Sequence, residues 1–338
     1  MRHAEATDPA AAKPTDLLAA MVDDAASERA AALVLKPRED LYLDGELRSI
    51  QSRAVAYLRA GAPVHFRGPA GAGKTTLALD VAARLGRPVS LVTGDSRMSS
   101  ADLIGREVGL NARRLEDRYV QRVVKTATET RVAWADSVLT EAMIEGHTLV
   151  YDEFTRAPAE ANNALLSALE ERILILSNPA RAQRYVRAHP EFRAILTSNP
   201  EEYAGVTAAP DALFDRMVTF DLGWGSEDAE AGIVARRTGC KRPDAERIVR
   251  IVRALRADCE GATPISLRAA IIIGRLVAAL GAEASPRDAR FVQICLDVLE
   301  SRAPRGSSGE ARRAHVAALR ARILSSLDAD PAPQETAA

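Results

Sequence analysis

The sequence has few of the features that mark secreted or membrane-bound proteins. Its three cysteines, Cys240, Cys259 and Cys295, are an odd number without CxxC spacing, which predicts reduced thiols in a cytoplasmic protein and excludes a disulfide framework or a metal knuckle. The apolar run at 269–273, like every other apolar run in the sequence, is far shorter than the roughly 20 residues that cross a membrane. Residues 1–30 contain no apolar segment of a secretory signal. We therefore expect a cytoplasmic protein that has no membrane partner.

Excess charge and aromatic side chains are also scarce. The chain of 338 residues has 45 basic and 46 acidic side chains, a net charge of -1, and only 4% aromatic residues. Because nucleic-acid binding needs a basic surface and rings for stacking, we expect no nucleic-acid partner. Only five of the basic residues are lysines, so a lysine inside a motif is less often a coincidence.

Sequence patterns divide the chain into four predicted regions. Residues 1–30, rich in alanine and acidic residues, predict a disordered acidic arm. Through 31–225, short β-type runs alternate with helical patterns, which is typical of an α/β fold with a parallel sheet. Only the helical period continues through 226–301, which predicts a small all-α domain. Residues 302–338 predict a linker, a short amphipathic helix and a frayed tail.

Within the second region the apolar runs predict individual elements. Core strands are expected at 64–66, 89–93, 148–151 and 194–198, and helices at 74–85 and 160–171. The segment 96–146 is longer than a crossover needs. Inside it, 113–131 carries six basic and three acidic residues, which favours a solvated helix face over a surface that meets a pore or a partner. Two short runs around 173–186 predict a hairpin.

A phosphate-binding loop follows the first predicted strand. Residues 68–75 match GxxxxGK[ST] in full, with a strand candidate before them and a helix candidate after them. Glycines let backbone N–H groups surround phosphate oxygens, and the helix N-terminus adds positive charge. Lys74 is predicted to reach the β and γ phosphates and Thr75 to bind Mg²⁺. A coincidental glycine-rich turn is the alternative. The predicted nucleotide-binding residues are Gly68, Pro69, Ala70, Gly71, Ala72, Gly73, Lys74, Thr75 and Thr76.

Two later strands end in polar residues. The apolar run at 147–151 precedes Asp152 and Glu153, at the edge of a parallel sheet where a phosphate loop also lies. Asp152 is predicted to hold Mg²⁺ through water, and Glu153 to polarise the attacking water. Asn199 is placed to hydrogen-bond that water or the γ-phosphate. The alternatives are an ordinary acidic strand end and a turn asparagine before Pro200.

These segments together resemble the AAA+ ATPases, and among them the MoxR-like branch. The matching residues are 68–75, 150–158, 164–171 and 197–200. A narrower match is similar to the GvpN family of gas vesicle proteins, over about 37–225. The residues that carry it are 53–54, 57–58, 64–71, 94–95, 151–154, 160–163 and 197–206. The resemblance implies a P-loop AAA+ αβα sandwich followed by a helical lid, with the chain assembled into a homo-oligomeric ring, a hexamer.

The resemblance also implies roles for two arginines. The segment 211–216 looks like the AAA+ segment whose arginine, here Arg216, projects into the nucleotide site of the neighbouring subunit. The alternative is a helix-end arginine paired with Asp215. Arg268 resembles the sensor arginine of the lid, although many MoxR-like proteins have proline where this chain has Leu267. A lid-surface arginine is the alternative there.

The implied function is Mg²⁺-dependent ATP hydrolysis that remodels protein partners. The narrower resemblance implies that these partners are the gas vesicle shell or its accessory proteins, so that the ATPase promotes vesicle assembly and growth in the cytoplasm. A general MoxR-type chaperone that matures a metalloenzyme or its partner is one alternative. A nucleotide-gated scaffold with little turnover is another, although Glu153, a carboxylate suited to activating water, argues against it.

Overall fold

A computed structural model describes residues 32–38, 41–116, 126–176, 185–200, 211–257, 265–300 and 309–328. The predicted acidic arm, the linker after 301 and the frayed tail lie outside the described residues. The predicted boundaries of the four regions stay predictions. Within the described part of the chain, no helix is both long enough and apolar enough to cross a membrane.

Five parallel strands form the central sheet. In chain order the strands of the structure are β1 (Val64–Arg67), β2 (Val89–Thr93), β3 (Gly105–Glu116), β4 (Thr126–Asp136), β5 (Thr148–Asp152), β6 (Ile173–Ile175), β7 (Tyr185–Arg187), β8 (Arg193–Ser198) and β9 (Val218–Asp221). The sheet has the order β2-β5-β8-β1-β9, and every neighbouring pair in it is parallel. The four predicted core strands are confirmed. The edge strand β9 was not predicted, because it is short and alternates apolar with polar residues.

Helices cover both faces of the sheet and form the C-terminal part of the described chain. They are α1 (Gly45–Arg59), α2 (Lys74–Leu85), α3 (Ser100–Ile104), α4 (Val138–Glu145), α5 (Ala159–Glu170), α6 (Asp211–Phe214), α7 (Glu227–Thr238), α8 (Arg242–Ala257), α9 (Leu267–Leu280), α10 (Ala289–Glu300) and α11 (Gly309–Asp328). The two predicted helices correspond to α2 and α5.

Side chains of β5 show how the sheet is buried on both faces. Leu149 and Tyr151 pack into the cluster that includes α4 and α5, while Val150, between them, packs into the opposite cluster with α1 and α2. All three are fully buried. A strand buried on both faces needs a continuous apolar run, and this is why the sequence pattern identified β5. The predicted αβα layers are confirmed.

Beyond the sheet, α7 to α11 share one hydrophobic core, which we call the helical region. Leu319, Ile323 and Leu327 of α11 are buried in this core. Their spacing of four residues places them on one face of the helix, which packs against α8 and α10. The final helix is therefore 20 residues long and belongs to the helical core, whereas the sequence had suggested a short helix before the tail.

Two antiparallel ribbons leave the main sheet. Strands β6 and β7 pair as the predicted hairpin. Strands β3 and β4 pair along most of their length, so the interpretation of 113–131 as a helix face is wrong wherever that segment is described. Its threonines at 126, 128 and 130 alternate along β4, a pattern that favours a strand over a helix. Residues 117–125 lie outside the described residues.

Candidate active site

The phosphate loop connects β1, the strand next to the edge strand β9, to α2. Gly71 and Gly73 have φ angles of 85° and 88°, in the left-handed region that glycine adopts without strain. A Cβ on Gly68 would lie only 2.1 Å from the carbonyl oxygen of Leu222. The glycines of the motif are therefore required by the backbone path and by close packing against the residue that follows β9.

Lys74 is the first residue of α2 and is 7% exposed. Its Nζ donates hydrogen bonds to the carbonyl oxygens of Gly68, at 2.7 Å, and Pro69, at 2.8 Å. The ammonium group is thus held inside the loop, beside the first-turn N–H groups of α2, which have no carbonyl partner within the helix. Together they present positive charge to an anion at the loop.

Asp152 at the end of β5 accepts hydrogen bonds from two hydroxyl groups. Thr75 Oγ1 lies 2.8 Å from Asp152 Oδ1 and 3.0 Å from Oδ2. Thr197 Oγ1, on the neighbouring strand β8, lies 2.5 Å from Asp152 Oδ1. The structure therefore brings together the two predicted Mg²⁺ residues. Thr197 was not predicted, although its place two residues before Asn199 on a predicted strand was a usable signal.

Glu153 has an unusual backbone conformation for a residue with a side chain. Its φ angle is 51°, its N–H donates to Thr197 Oγ1 at 2.9 Å, and its carbonyl would lie 2.1 Å from a Cβ on Gly94. A left-handed conformation at a non-glycine residue costs energy and persists where its surroundings enforce it. The side chain lines the cavity described below, and its Oε2 lies 2.6 Å from Arg156 Nη1.

A cavity of about 180 Å³ lies between the phosphate loop and the helical region. Loop residues 70–76 line it together with Glu153 and Asn199, which is 5% exposed. Arg268 of α9 also lines it. The sequence did not predict four further polar residues of the lining, Arg38, Tyr42, Arg236 and Arg237. Apolar side chains complete the wall, and they are Leu41, Leu43, Leu47, Leu77, Leu222, Ile233, Leu267 and Ile271.

Arg216, whose side chain the structure describes, is placed outside this cavity lining. Its Nε donates to Glu170 Oε2 at 2.6 Å and its Nη1 to the carbonyl oxygen of Ala212 at 2.5 Å. Its acidic partner is thus Glu170 at the end of α5, where the sequence alternative had suggested Asp215. The structure separates Arg216 from the other predicted site residues of the same chain.

The residues at the loop fit a nucleotide with Mg²⁺. No group of three or more His, Cys, Asp or Glu residues that could hold a metal occurs in the described part of the chain. A single carboxylate beside a hydroxyl is, however, the set that Mg²⁺ uses when water and substrate phosphates supply its remaining ligands. Thr75 and Asp152 form such a set beside the Lys74 ammonium. The apolar wall and the polar loop suit the two ends of a nucleotide.

Comparison with known proteins agrees with this geometry. Residues 63–217 match the AAA domain of the dynein-related subfamily. The chain is 46% identical to the gas vesicle ATPase GvpN of Ancylobacter aquaticus, over 85% of this chain and 82% of that protein. This chain belongs to the gas vesicle ATPase GvpN family. With an AAA domain and this family membership, it is an ATP hydrolase.

Two other similarities place the GvpN family among its relatives. The chain is 29% identical to the protein NorQ of Paracoccus denitrificans, over 61% of this chain and 70% of that protein, so the MoxR-like resemblance is confirmed. The structure of NtrX from Brucella abortus in complex with ADP has a TM-score of 0.50 and 18% identity, over 84% of this chain and 62% of that chain. The latter similarity supports the fold of this GvpN family member and nothing further.

Proposed function

We propose that this chain hydrolyses ATP with Mg²⁺ as part of a homo-oligomeric ring, a hexamer, and thereby remodels protein partners during gas vesicle assembly and growth. One observation carries the ring proposal. Lys74, Asp152, Glu153 and Asn199 gather at one end of the sheet, whereas Arg216 lies outside the cavity of its own chain. An arginine that acts on phosphate from outside its own site must act on a second copy.

In this proposal the chain binds the phosphates through Lys74 and the N–H groups of the loop. Lys74 would exchange its two carbonyl partners for β and γ phosphate oxygens, which accept stronger, charge-assisted bonds. Thr75 and Asp152 would hold Mg²⁺, which when bound neutralises charge on the phosphates. Thr197 keeps the carboxylate of Asp152 in place through its hydroxyl group.

Glu153 and Asn199 act on the attacking water. Glu153 accepts a proton from the water while the water oxygen bonds to the γ phosphorus and the bond to the ADP oxygen breaks, which gives ADP and phosphate. Asn199 fixes the water through its amide. Arg156 Nη1 lies 2.6 Å from Oε2 of the same carboxylate and helps to orient it. Arg268, with Arg236 and Arg237, adds positive charge from the helical region.

Family membership favours gas vesicle shell or accessory proteins as the remodelled partners, in the cytoplasm and in association with vesicles. The similarity to NorQ keeps a general MoxR-type chaperone as a second candidate. Deletion of the gene in its host separates the two candidates. If the proposal is correct, electron micrographs of the deletion strain will show stunted gas vesicles. A gene that carries Lys74→Ala will not restore their normal size. Vesicles of normal size in the deletion strain would favour the chaperone.

A mixing experiment tests the ring. Arg216→Ala is expected to be nearly inactive, because an arginine supplied in trans contributes about 10³ to 10⁵ in rate. Lys74→Ala is expected to be nearly inactive because it loses the cation that binds the phosphates. Mixed rings place an intact loop of the first variant against an intact arginine of the second, so ATPase activity should return. Arg313→Ala, in an exposed position on α11, is the control with unchanged activity. Mixed rings that recover no activity at any ratio would contradict action in trans.

A further inference from the structure

A histidine lies in the middle of the central sheet, where parallel strands normally carry aliphatic residues. His65 is the second residue of β1 and is fully buried. Burying a polar ring is costly unless its nitrogen atoms find partners. The proposed function has so far given this residue no role.

Both ring nitrogens of His65 reach hydroxyl groups on the neighbouring strands. Nε2 lies 2.8 Å from Ser198 Oγ on β8, and Nδ1 lies 3.1 Å from Thr219 Oγ1 on β9. Burial, helped by the positive charges of Arg67 and Lys74, lowers the pKa of His65 to about 4. The ring is therefore neutral at cellular pH, with one donor and one acceptor nitrogen, and rotating hydroxyl groups can match either arrangement.

The ring also contacts two aromatic side chains on one side of the sheet. Its centroid is 5.5 Å from that of Phe154, nearly perpendicular to it, and 5.4 Å from that of Phe214. Phe154 and Phe214 contact each other at 5.9 Å. The three rings form one packed group that links β1 to the ends of β5 and α6.

Each contact of His65 lies close in the chain to a residue of the proposed mechanism. Phe154 follows Glu153, Ser198 precedes Asn199, and Phe214 and Thr219 flank Arg216. His65 itself is three residues before Gly68. Because neighbouring residues are joined by a peptide bond, a shift of the His65 ring and its contacts is expected to displace several of these residues together.

We propose that His65 is a positioning residue that fixes the Glu153 and Asn199 end of the site relative to the segment carrying Arg216. It thereby couples the site of its own chain to the arginine offered to the next copy. This inference rests on the proposed function, since it assumes the roles given there to Glu153, Asn199 and Arg216.

A set of matched variants separates positioning from simple packing. His65→Phe keeps an aromatic ring against Phe154 and Phe214, but it leaves the buried Ser198 hydroxyl group and the half-buried Thr219 hydroxyl group without the imidazole. The triple variant His65→Phe, Ser198→Ala, Thr219→Val also removes these hydroxyl groups, so it lacks the same bonds without that defect. In both proteins we expect kcat to fall about 10- to 100-fold, because displacements near 1 Å have effects of that size, while the Kd for ATP stays within about twofold.

The triple variant keeps the test decisive even if the single variant folds poorly. A triple variant with the thermal stability of the wild type and a wild-type kcat would show that His65 only fills space, and would overturn the inference. A fall in kcat that is matched by an equal loss of ATP affinity would overturn it as well, since it would indicate general damage to the loop.

Mixed rings test the coupling to Arg216 and keep the two proposals apart. In the reference mixture, wild-type protein is combined with Lys74→Ala subunits, which cannot hydrolyse ATP at their own site but still supply Arg216. In two parallel mixtures, the Lys74→Ala subunits also carry either Arg216→Ala or the triple substitution. We expect both combined variants to lower ATPase activity at least about twofold below Lys74→Ala alone, given the rate that a trans arginine supplies.

The outcomes point to different proposals. If adding Arg216→Ala to the Lys74→Ala subunits does not change the ATPase activity, Arg216 does not act on the neighbouring subunit, and the proposed function must change. If Arg216→Ala lowers activity and the triple substitution does not, the mechanism stands and the role of His65 in placing Arg216 is overturned.

Discussion

The sheet edge and the helical region face each other across the cavity, and they hold their polar groups in different ways. At the sheet edge, Thr197 at the end of β8 is bonded to Asp152 at the end of β5, and Asp152 is also bonded to Thr75 of α2. Asn199, which follows β8, is buried beside them. The helical region contributes Arg268 from a helix surface, where its side chain is exposed. The most firmly held polar groups of the cavity region thus lie at strand ends or, like Lys74, in the phosphate loop, whereas Arg268 reaches the cavity from an exposed helix surface.

The buried polar side chains of the helical region lie outside the lining of the cavity. Its core is almost wholly aliphatic, and a buried ion pair joins Glu230 to Arg256 at 2.8 Å. The guanidinium of Arg256 also lies 4.0 Å above the ring of Trp224, in the connection between β9 and α7. This polar group secures the base of the helical region and does not line the cavity. We therefore expect substitutions at the sheet edge and in the phosphate loop to affect turnover more strongly than substitutions in the helical region.

Among changes at the sheet edge, the phosphate loop and the helical region, the largest effect on turnover is expected from Glu153→Gln. The amide has nearly the same shape as the carboxylate but cannot accept the proton of water, so turnover should fall by about 10² to 10⁴. ATP binding should persist. Steady-state ATPase assays and nucleotide titration check both parts, with Glu160→Gln, an exposed acid on α5, as the control. Retained turnover would place the base elsewhere.

Lys74→Ala should weaken ATP binding by about 100-fold, because it removes charge-assisted bonds to two phosphates. Titration with a fluorescent ATP analogue measures the change. Lys241→Ala, an exposed lysine next to α8, should bind like the wild type. If Lys74→Ala binds ATP as tightly as the wild type, the assignment of residues 68–75 as the phosphate-binding loop is wrong.

Acid should weaken the sheet through His65. The pKa of this residue is about 4 in the folded chain and about 6.5 in the unfolded chain, mainly because of burial. The unfolded chain therefore binds more protons between these values, and stability present above pH 6.5 is lost as the pH falls towards 4, by up to about 3 kcal/mol. Urea unfolding at several pH values should show a shallower dependence for His65→Phe. The same dependence in both proteins would contradict the assignment.

Gly71→Ala should destabilise the nucleotide-free protein by about 1 to 3 kcal/mol through overpacking. Its Cβ would lie 2.6 Å from Ser266 Cβ, at the start of α9. Gly73→Ala shares the left-handed backbone but meets no atom within 4 Å, so it controls for backbone strain. Thermal unfolding should place Gly71→Ala below Gly73→Ala, and Ser266→Gly should restore part of the difference. Equal midpoints would show that the loop and α9 are not in firm contact.

The smallest effect is expected from Arg268→Ala. An exposed cation at the rim of the cavity contributes less than a buried one, so ATP affinity should fall about threefold to tenfold with a similar change in turnover. Arg287→Ala, an exposed arginine outside the cavity lining, is the control. If Arg268→Ala loses as much ATP affinity as Lys74→Ala, the helical region contributes as much to binding as the phosphate loop, which would contradict the expected order.

The sequence predicted the parts of the molecule that depend on local pattern. Strands such as β5 are continuous apolar runs, and the positions of Asp152 and Asn199 follow from where such runs end. Thr197, Arg236 and Arg237 were missed because their roles depend on which strands are neighbours and how the helices pack. The edge strand β9 lacks a continuous run, and the charges of 113–131 concealed the strand pattern of its threonines.

The tight contact between Gly68 and Leu222 has a mechanical consequence. Leu222 N–H donates to the carbonyl oxygen of Arg67 at 2.7 Å, and the missing Cβ of Gly68 lets the two segments touch. Leu222 is also where the chain leaves the sheet for α7. The phosphate loop is thus in direct contact with the first residue of the connection to the helical region. A displacement of the loop at Gly68 is therefore expected to shift Leu222 and, with it, the start of the path to α7.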